Sequence, residues 1–498
     1  MPSKTKSRAT QAPPVPKPEH PALAALKRSR WLYVVVSVIV LAPCYWQSRL
    51  QAGDLSSHVY NAWLAQLIES GHIQGLHIAS QTTNVLFDLI LGGLLKAFGP
   101  GPAQRISVGL SVLIFIWGAF LFARVVSGRM PWPILPCITM LAYGWVFHMG
   151  FFNFYLSMGL CFFALALLWE PSIRRVAAAV PILIVACVAH ALPVAWMAGL
   201  AAYAAVARRL SPKSRILLTA ASIAVILIVR LVIAATIPSV WTRQQMIYMT
   251  GLDQVWIFDT KYYVVMVALL FLWAFWFLRL LHMRSGRQLF ADAMFQICLI
   301  SAAAIVILPT SMLIPGYQHA LGFIADRMSL VVGICFCALL ACVTPTRFER
   351  YAMTVVAIVF FAFLYRDERA INSLEDRMQH MVAGLPPGQR VISAIDDPTL
   401  RINLVHLIDR ACVGHCFSYA NYEPSTAQFR VRADGVNPYV ASTYADSWLL
   451  QTGAYVVKER DLPLYQVDLD PAGQMVMKSL RAGAASGSTS WSVLGDLL

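Results

Sequence analysis

Charge is scarce in this chain. Of its 498 residues only 13 % are Asp, Glu, Lys or Arg, against 58 % hydrophobic, and the mean hydropathy is +0.62. A water-soluble globule does not have this composition. The sequence also lacks a phosphate-binding loop, a dinucleotide fingerprint and a nucleophile elbow, which weighs against ATP-driven transport and against use of soluble nucleotide sugars. No repeat with a period of roughly 20–50 residues is visible. No tight His/Asp spacing imposes a metal geometry. The formal charge of +14 forms no continuous basic face, so nucleic acid is not an expected partner.

What is present is a series of apolar runs, many near the roughly 17–25 residues that carry a helix across a hydrocarbon core. They are Trp31–Trp46, Thr82–Phe98, Gln104–Val126, Trp132–His148, Phe151–Trp169, Val176–His190, Ala191–Ala207, Ser214–Ile237, Lys261–His282, Leu289–Leu313, Leu321–Val343 and Tyr351–Tyr365. The expected fold is an all-α polytopic membrane helix bundle of about 11–13 transmembrane helices with a small C-terminal extracytoplasmic α/β domain. Basic clusters at Arg208/Lys213, Arg279–Arg287 and Arg347/Arg350 belong on the cytosolic side, and the loops near His190, Trp241–Thr260 and Gly316–His319 on the other. Twelve crossings from a cytosolic start would end in the cytosol. Either an early segment such as Thr82–Phe98 is re-entrant, or a further span exists.

Residues 1–30 combine Pro13, Pro14, Pro16 and Pro18 with Lys4, Lys6, Arg8 and Lys17, and read as a disordered cytosolic basic tail. Trp31 to Trp46 then serves as a signal anchor. Residues 31–365 form the membrane module, with a first outer loop over 47–81. From residue 366 to 498 Asp, Arg, Gly and Pro replace the apolar runs, and short alternating stretches at Arg390–Ile395 and Tyr455–Lys458 indicate strands. In this domain Cys412-Val-Gly-His-Cys416 does not match a zinc pattern, and a Cys412–Cys416 disulfide is favoured over free thiols.

The first outer loop carries Gly53-Asp54 ahead of Leu55, Val59, Ala62/Trp63 and Leu67, whose helical spacing predicts an amphipathic helix lying on the membrane surface. On these residues, with Asn84-Val-Leu-Phe-Asp88 opening the next apolar segment, the chain resembles the GT-C class of polytopic glycosyltransferases. That resemblance implies a membrane enzyme of the cell envelope, in the bacterial inner membrane, that moves a sugar from a polyprenyl-phosphate donor to a hydroxyl of a glycan, lipid or protein acceptor. It also implies an acid in the first outer loop, and a divalent metal ion as a possible cofactor. The chain has one acid there where many members of the class have two.

Asp54 is the candidate catalytic base. A carboxylate within hydrogen-bond reach can take the acceptor proton as the C1–phosphate bond breaks. The other reading of Asp54 is a helix N-cap, for which Asp is a preferred residue. Arg327, in Ile324-Ala-Asp-Arg-Met, is the first candidate for phosphate contact, with Arg243 and Lys261 as weaker ones. His58, His148, Asn153, His190 and His319 cluster near the same outer boundary as candidate substrate-binding groups. Asp88 and Arg230 sit inside apolar runs and need partners, pairing with each other or lining an ion route. The second reading of function, a secondary transporter or flippase, rests on them.

Overall fold

The computed structural model describes residues 21–395, 400–470 and 472–487. The described part is mostly helical, and it divides into two compact units, Met1–Ala42 and Pro43–Leu498. In the first unit a helix runs over Pro21–Val40. It starts ten residues before the expected end of the basic tail, because Ala22 to Leu26 are strong helix formers where disorder was expected. The rest of that tail lies outside the described residues.

In the second unit, four helices are long and apolar enough to cross a membrane: Pro100–Ser127, Pro212–Thr236, Thr260–Met283 and Arg347–Ala383. They mark the chain as a membrane protein. The helix Pro212–Thr236 shows why: Leu217 and Leu231 are 72 % and 62 % exposed, and Thr219 is its one buried residue. Such a surface is stable facing lipid and not water. Shorter apolar helices include Phe152–Leu168, Ala191–Ala207 and Ala293–Ile307.

Several expected spans are shorter or broken. Thr82–Phe98 contributes a helix only over Leu86–Phe98. Trp132–His148 breaks into Trp132–Ile134, Leu135–Ala142 and Trp145–His148, with Pro133 and Pro136 removing backbone donors and Gly144 weakening continuity. Elsewhere small residues permit close packing. A Cβ on Gly118 would stand 2.4 Å from the carbonyl oxygen of Gly159, so these two glycines let the Pro100–Ser127 and Phe152–Leu168 backbones touch.

The Arg347–Ala383 helix passes without a break through residue 366, where the composition changes, and its C-terminal half carries polar groups into the C-terminal domain. That domain holds a mixed four-stranded sheet. Arg390–Ser393 pairs in parallel with Phe417–Ser418 on one side and Leu464–Leu469 on the other, and Met475–Ser479 closes the edge antiparallel. Ile392, Tyr419, Ala420, Leu450, Tyr455 and Leu464 form its core.

The helix Leu55–Glu69 does not lie free on a membrane surface. Leu55, Ser56, Ser57, Val59, Tyr60, Asn61, Ala62, Leu64 and Ala65 are all buried, because the C-terminal domain covers the side expected to face water. Tyr60 Oη accepts from the Ser418 amide at 2.9 Å, and Asn421 Nδ2 donates to Asn61 Oδ1 at 2.7 Å. Past the helix, Leu76–Ile78 pairs antiparallel with Val431–Ala433.

One buried ion pair ties these parts together. Arg410 and Glu375 are 7 % and 1 % exposed, and the guanidinium makes two bonds to the carboxylate, at 2.7 and 2.6 Å. The same guanidinium donates to the carbonyl of Leu50 and to Gln104 Oε1, each at 2.8 Å, while Gln51 Nε2 donates to Glu375 at 2.8 Å. Removing one partner leaves a buried charge alone. Arg410→Ala is expected to lower stability by about 3–5 kcal/mol, and Arg410→Ala combined with Glu375→Ala by less than the single change, as read by thermal unfolding in detergent.

Candidate functional site

The backbone around Asp54 is clamped. The Gly53 amide donates to the His148 carbonyl at 2.7 Å and the Asp54 amide to the Met149 carbonyl at 3.0 Å. Gly150 makes the approach possible: its φ is +83°, and a Cβ there would stand 2.6 Å from the Asp54 amide nitrogen. Asp54 occupies the N-cap position of Leu55–Glu69 but with φ −72° and ψ −9°, and its side chain makes no capping hydrogen bond. The carboxylate is left for other work.

It faces a polar chamber built from three parts of the chain. Asp54 acts electrostatically on His58, His319, Arg327, His406, Tyr422 and Glu423 alike. His406 Nε2 lies 3.8 Å from Asp54 Oδ1. Ser57 Oγ donates to Glu423 Oε1 at 3.3 Å. One turn along from Asp54, His58 Nδ1 meets Asp88 Oδ1 at 2.6 Å. Asn153 Nδ2 donates to Asp88 Oδ2 at 2.8 Å, and Asn153 Oδ1 accepts from the Phe87 amide at 2.8 Å. His58, Asn61, Gln81, Asn84, Asp88 and Glu423 line a recess beside this cluster.

The charges in the chamber tune one another. Burial works against a charged His58, but Asp88 at hydrogen-bond distance, with Glu423 and Asp54 behind it, outweighs burial and lifts His58 to about 9. Burial pushes Glu423 up to about 7; Asp88 and Asp54 push the same way, while His58 and His406 pull against them. Burial lowers His319 below the ordinary imidazole value, against the pull of Asp54, and Arg327 adds to the lowering.

Arg327 is 8 % exposed. Its guanidinium lies 4.8 Å from the Phe151 ring centroid and 5.6 Å from that of Phe154, and it donates to the carbonyls of Gly322 and Phe323. No ion pair with Asp326 holds it: Asp326 accepts instead from Thr310 Oγ1 at 2.9 Å. Arg327 acts electrostatically on His190, whose ring caps the Leu192 amide at 3.2 Å. His319 packs on Tyr422 with ring centroids 5.6 Å apart.

Thus Asp54, His58, Asn153, His319 and Arg327 come together, with His190 behind Arg327. Three other candidates are engaged elsewhere or lie apart. His148 is fully buried and its ring meets Glu368 at 3.2 Å and the Gly144 carbonyl at 3.1 Å. Lys261 pairs with Asp367 at 2.6 Å and Asp259 at 2.9 Å. Arg243 is exposed in the 241–250 loop. Asp88 is held by His58 and Asn153 and not by Arg230, against the expected pairing. Cys412 and Cys416 are both free thiols; the disulfide expected there is not formed.

Of the C-terminal contributions, His406 and Asp409 were not legible as site residues from the sequence, because only the folded domain brings them to Asp54. In the sequence, Tyr419–Thr426, which contains Tyr422 and Glu423, reads as a surface loop with acceptor binding as one expectation. Among the described residues no three His, Cys, Asp or Glu side chains converge to hold a metal ion. No protein-family model, curated protein or solved structure matches the chain.

The His58–Asp88 pair makes a pH-dependent contribution. Because His58 titrates higher in the folded chain than its ordinary 6.5, the stabilisation is full below about 6.5 and is lost as pH rises through about 9. The thermal midpoint of the wild type is expected to fall over that range, and Asp88→Asn to flatten the fall. An equally steep fall in Asp88→Asn would remove this pair as its cause.

Proposed function

We propose that this protein is a membrane glycosyltransferase. It moves a sugar from a polyprenyl-phosphate donor to an acceptor hydroxyl on the outer face of a bacterial inner membrane, where the C-terminal domain also lies. The observation that carries the reading is Asp54: a clamped carboxylate that does not cap the helix it precedes and that shares a chamber with the buried guanidinium of Arg327.

A lipid-borne phosphate would reach Arg327 from the side. Beside it, among the helices Ala191–Ala207, Pro212–Thr236, Ala293–Ile307 and Ile324–Leu340, runs an apolar cleft of about 530 Å³ lined by residues such as Trp196, Leu200, Val225, Ile300, Met328 and Val332. Ile324, Ala325 and Met328 belong to this lining and flank Arg327 in sequence. An apolar cleft lined by the sequence neighbours of a buried cation suits an amphiphile with an anionic head.

In the reaction, the acceptor hydroxyl gives its proton to Asp54 as its oxygen forms a bond to the anomeric carbon. The bond between that carbon and the phosphate oxygen breaks, and the electron pair leaves with the phosphate, whose charge Arg327 stabilises. Direct displacement inverts the anomeric configuration. The recess at His58, Asn61, Asn84 and Glu423 offers amide, carboxylate and imidazole partners for hydroxyls next to Asp54. The transporter reading rested on Asp88 and Arg230 as unpaired charges, and Asp88 is already satisfied by His58 and Asn153.

With purified protein and a panel of radiolabelled polyprenyl-phosphate sugars, Asp54→Asn is expected to lower transfer on the order of 100- to 10,000-fold with folding unchanged. Wild-type turnover in that variant would remove Asp54 from the mechanism. Ala304→Trp, which fills the cleft, is expected to raise KM for long-chain donors far more than for short-chain ones. An equal effect on both would separate the cleft from the lipid.

A further inference from the structure

We propose that His406 and Asp409 of the C-terminal domain form a positioning pair that holds an imidazolium against Asp54 and so sets a positive charge beside the base between turnovers. This inference rests on the transferase reading. It is carried by a continuous line of side chains, Asp54, His406, Asp409 and Ser418, in which each member has a fixed partner.

Asp409 Oδ2 accepts from His406 Nδ1 at 2.9 Å, which fixes the ring and turns Nε2 towards Asp54 Oδ1 at 3.8 Å. The other oxygen of Asp409 accepts from Ser418 Oγ, and the Ser418 amide is itself held by Tyr60 of the Leu55–Glu69 helix. His406 and Asp409 are 4 % and 2 % exposed, while Asp54 is 20 % exposed. The line therefore runs from the domain interior and opens only at the carboxylate that meets substrate.

The groups facing His406 are Asp409 on its own segment, Asp54 from the first outer loop, and Glu423 and Tyr422 from the loop after Ser418; the Tyr422 ring centroid is 5.5 Å away. Burial opposes protonation of the imidazole, but the Asp409 hydrogen bond, with Asp54 and Glu423 near, outweighs it and holds His406 above its ordinary value. A protonated His406 therefore places a positive charge at ion-pair distance from the Asp54 carboxylate.

Two readouts test the pair. In the transfer assay, His406→Gln leaves a hydrogen-bond donor but no titratable cation. The acidic limb of its log(kcat/KM) profile is expected to move up by about one pH unit, with donor KM unchanged. Independently of turnover, the His406 resonance of ¹³C-histidine-labelled protein in nanodiscs, assigned by its loss in His406→Gln, is expected to titrate lower in Asp54→Asn and lower again in Asp409→Asn. Transfer with an unmoved pH profile, or a His406 titration that ignores Asp54, would overturn the pair. A wild type that transfers no sugar while His406 still titrates with Asp54 would leave the pair standing as a charge device and sink the transferase reading. If His406→Gln does not fold, the resonance is assigned from the other histidine variants and the Asp54→Asn titration decides.

Discussion

Glu375 and Arg410 are charges withdrawn from water, and each is tolerable only because the other is present. Their mutual bonds fix more than themselves, since the remaining donors and acceptors of the pair reach Leu50, Gln51 and Gln104. The C-terminal domain, the extension of the last long helix, the first outer loop and the helix Pro100–Ser127 are thereby held in one register. A site assembled from distant segments needs such a constraint, because packing alone is tolerant of small slides while a bidentate buried pair is not.

Within that frame the loop that carries Gly53 and Asp54 is gripped from two sides. The turn ending at Gly150 holds the backbone of Gly53 and Asp54, and the C-terminal domain covers the following helix through Tyr60 and Asn61. Both grips use the main chain or neighbouring side chains, so neither consumes the Asp54 carboxylate. Acids and imidazoles then meet in a closed space where burial alone would neutralise them, and their pairing keeps some charged: His58 by Asp88, His406 by Asp409. Arg327 is held differently, by carbonyls and aromatic faces, which leave its charge unneutralised by any carboxylate contact.

The sequence made the membrane character plain, because apolar runs follow from composition. It also singled out Asp54 and His58 in the loop after the first apolar run, and Asn153 and Arg327 just inside later runs, as conspicuous polar residues. Continuity was less legible: prolines and Gly144 break Trp132–His148, and the long helix ignores the change of composition at residue 366. The burial of Leu55–Glu69 could not be foreseen, since a helix covered on a second side by a distant domain has the same local pattern as one lying on a membrane. For the same reason His406 and Asp409, in a loop-rich domain without motif, gave no site signal.

On the proposed function, a lipid phosphate enters through the apolar cleft and stops at Arg327, beside Asp54. Photo-crosslinking with a polyprenyl phosphate that carries a diazirine in its chain, mapped by mass spectrometry in nanodiscs, tests this most directly. Labelling of cleft residues such as Met328, Ile300 and Leu200 is expected, suppressed by Arg327→Gln and retained in Asp54→Asn. Labelling confined to the exposed face of Pro212–Thr236, or labelling of the cleft that is indifferent to Arg327, would contradict it.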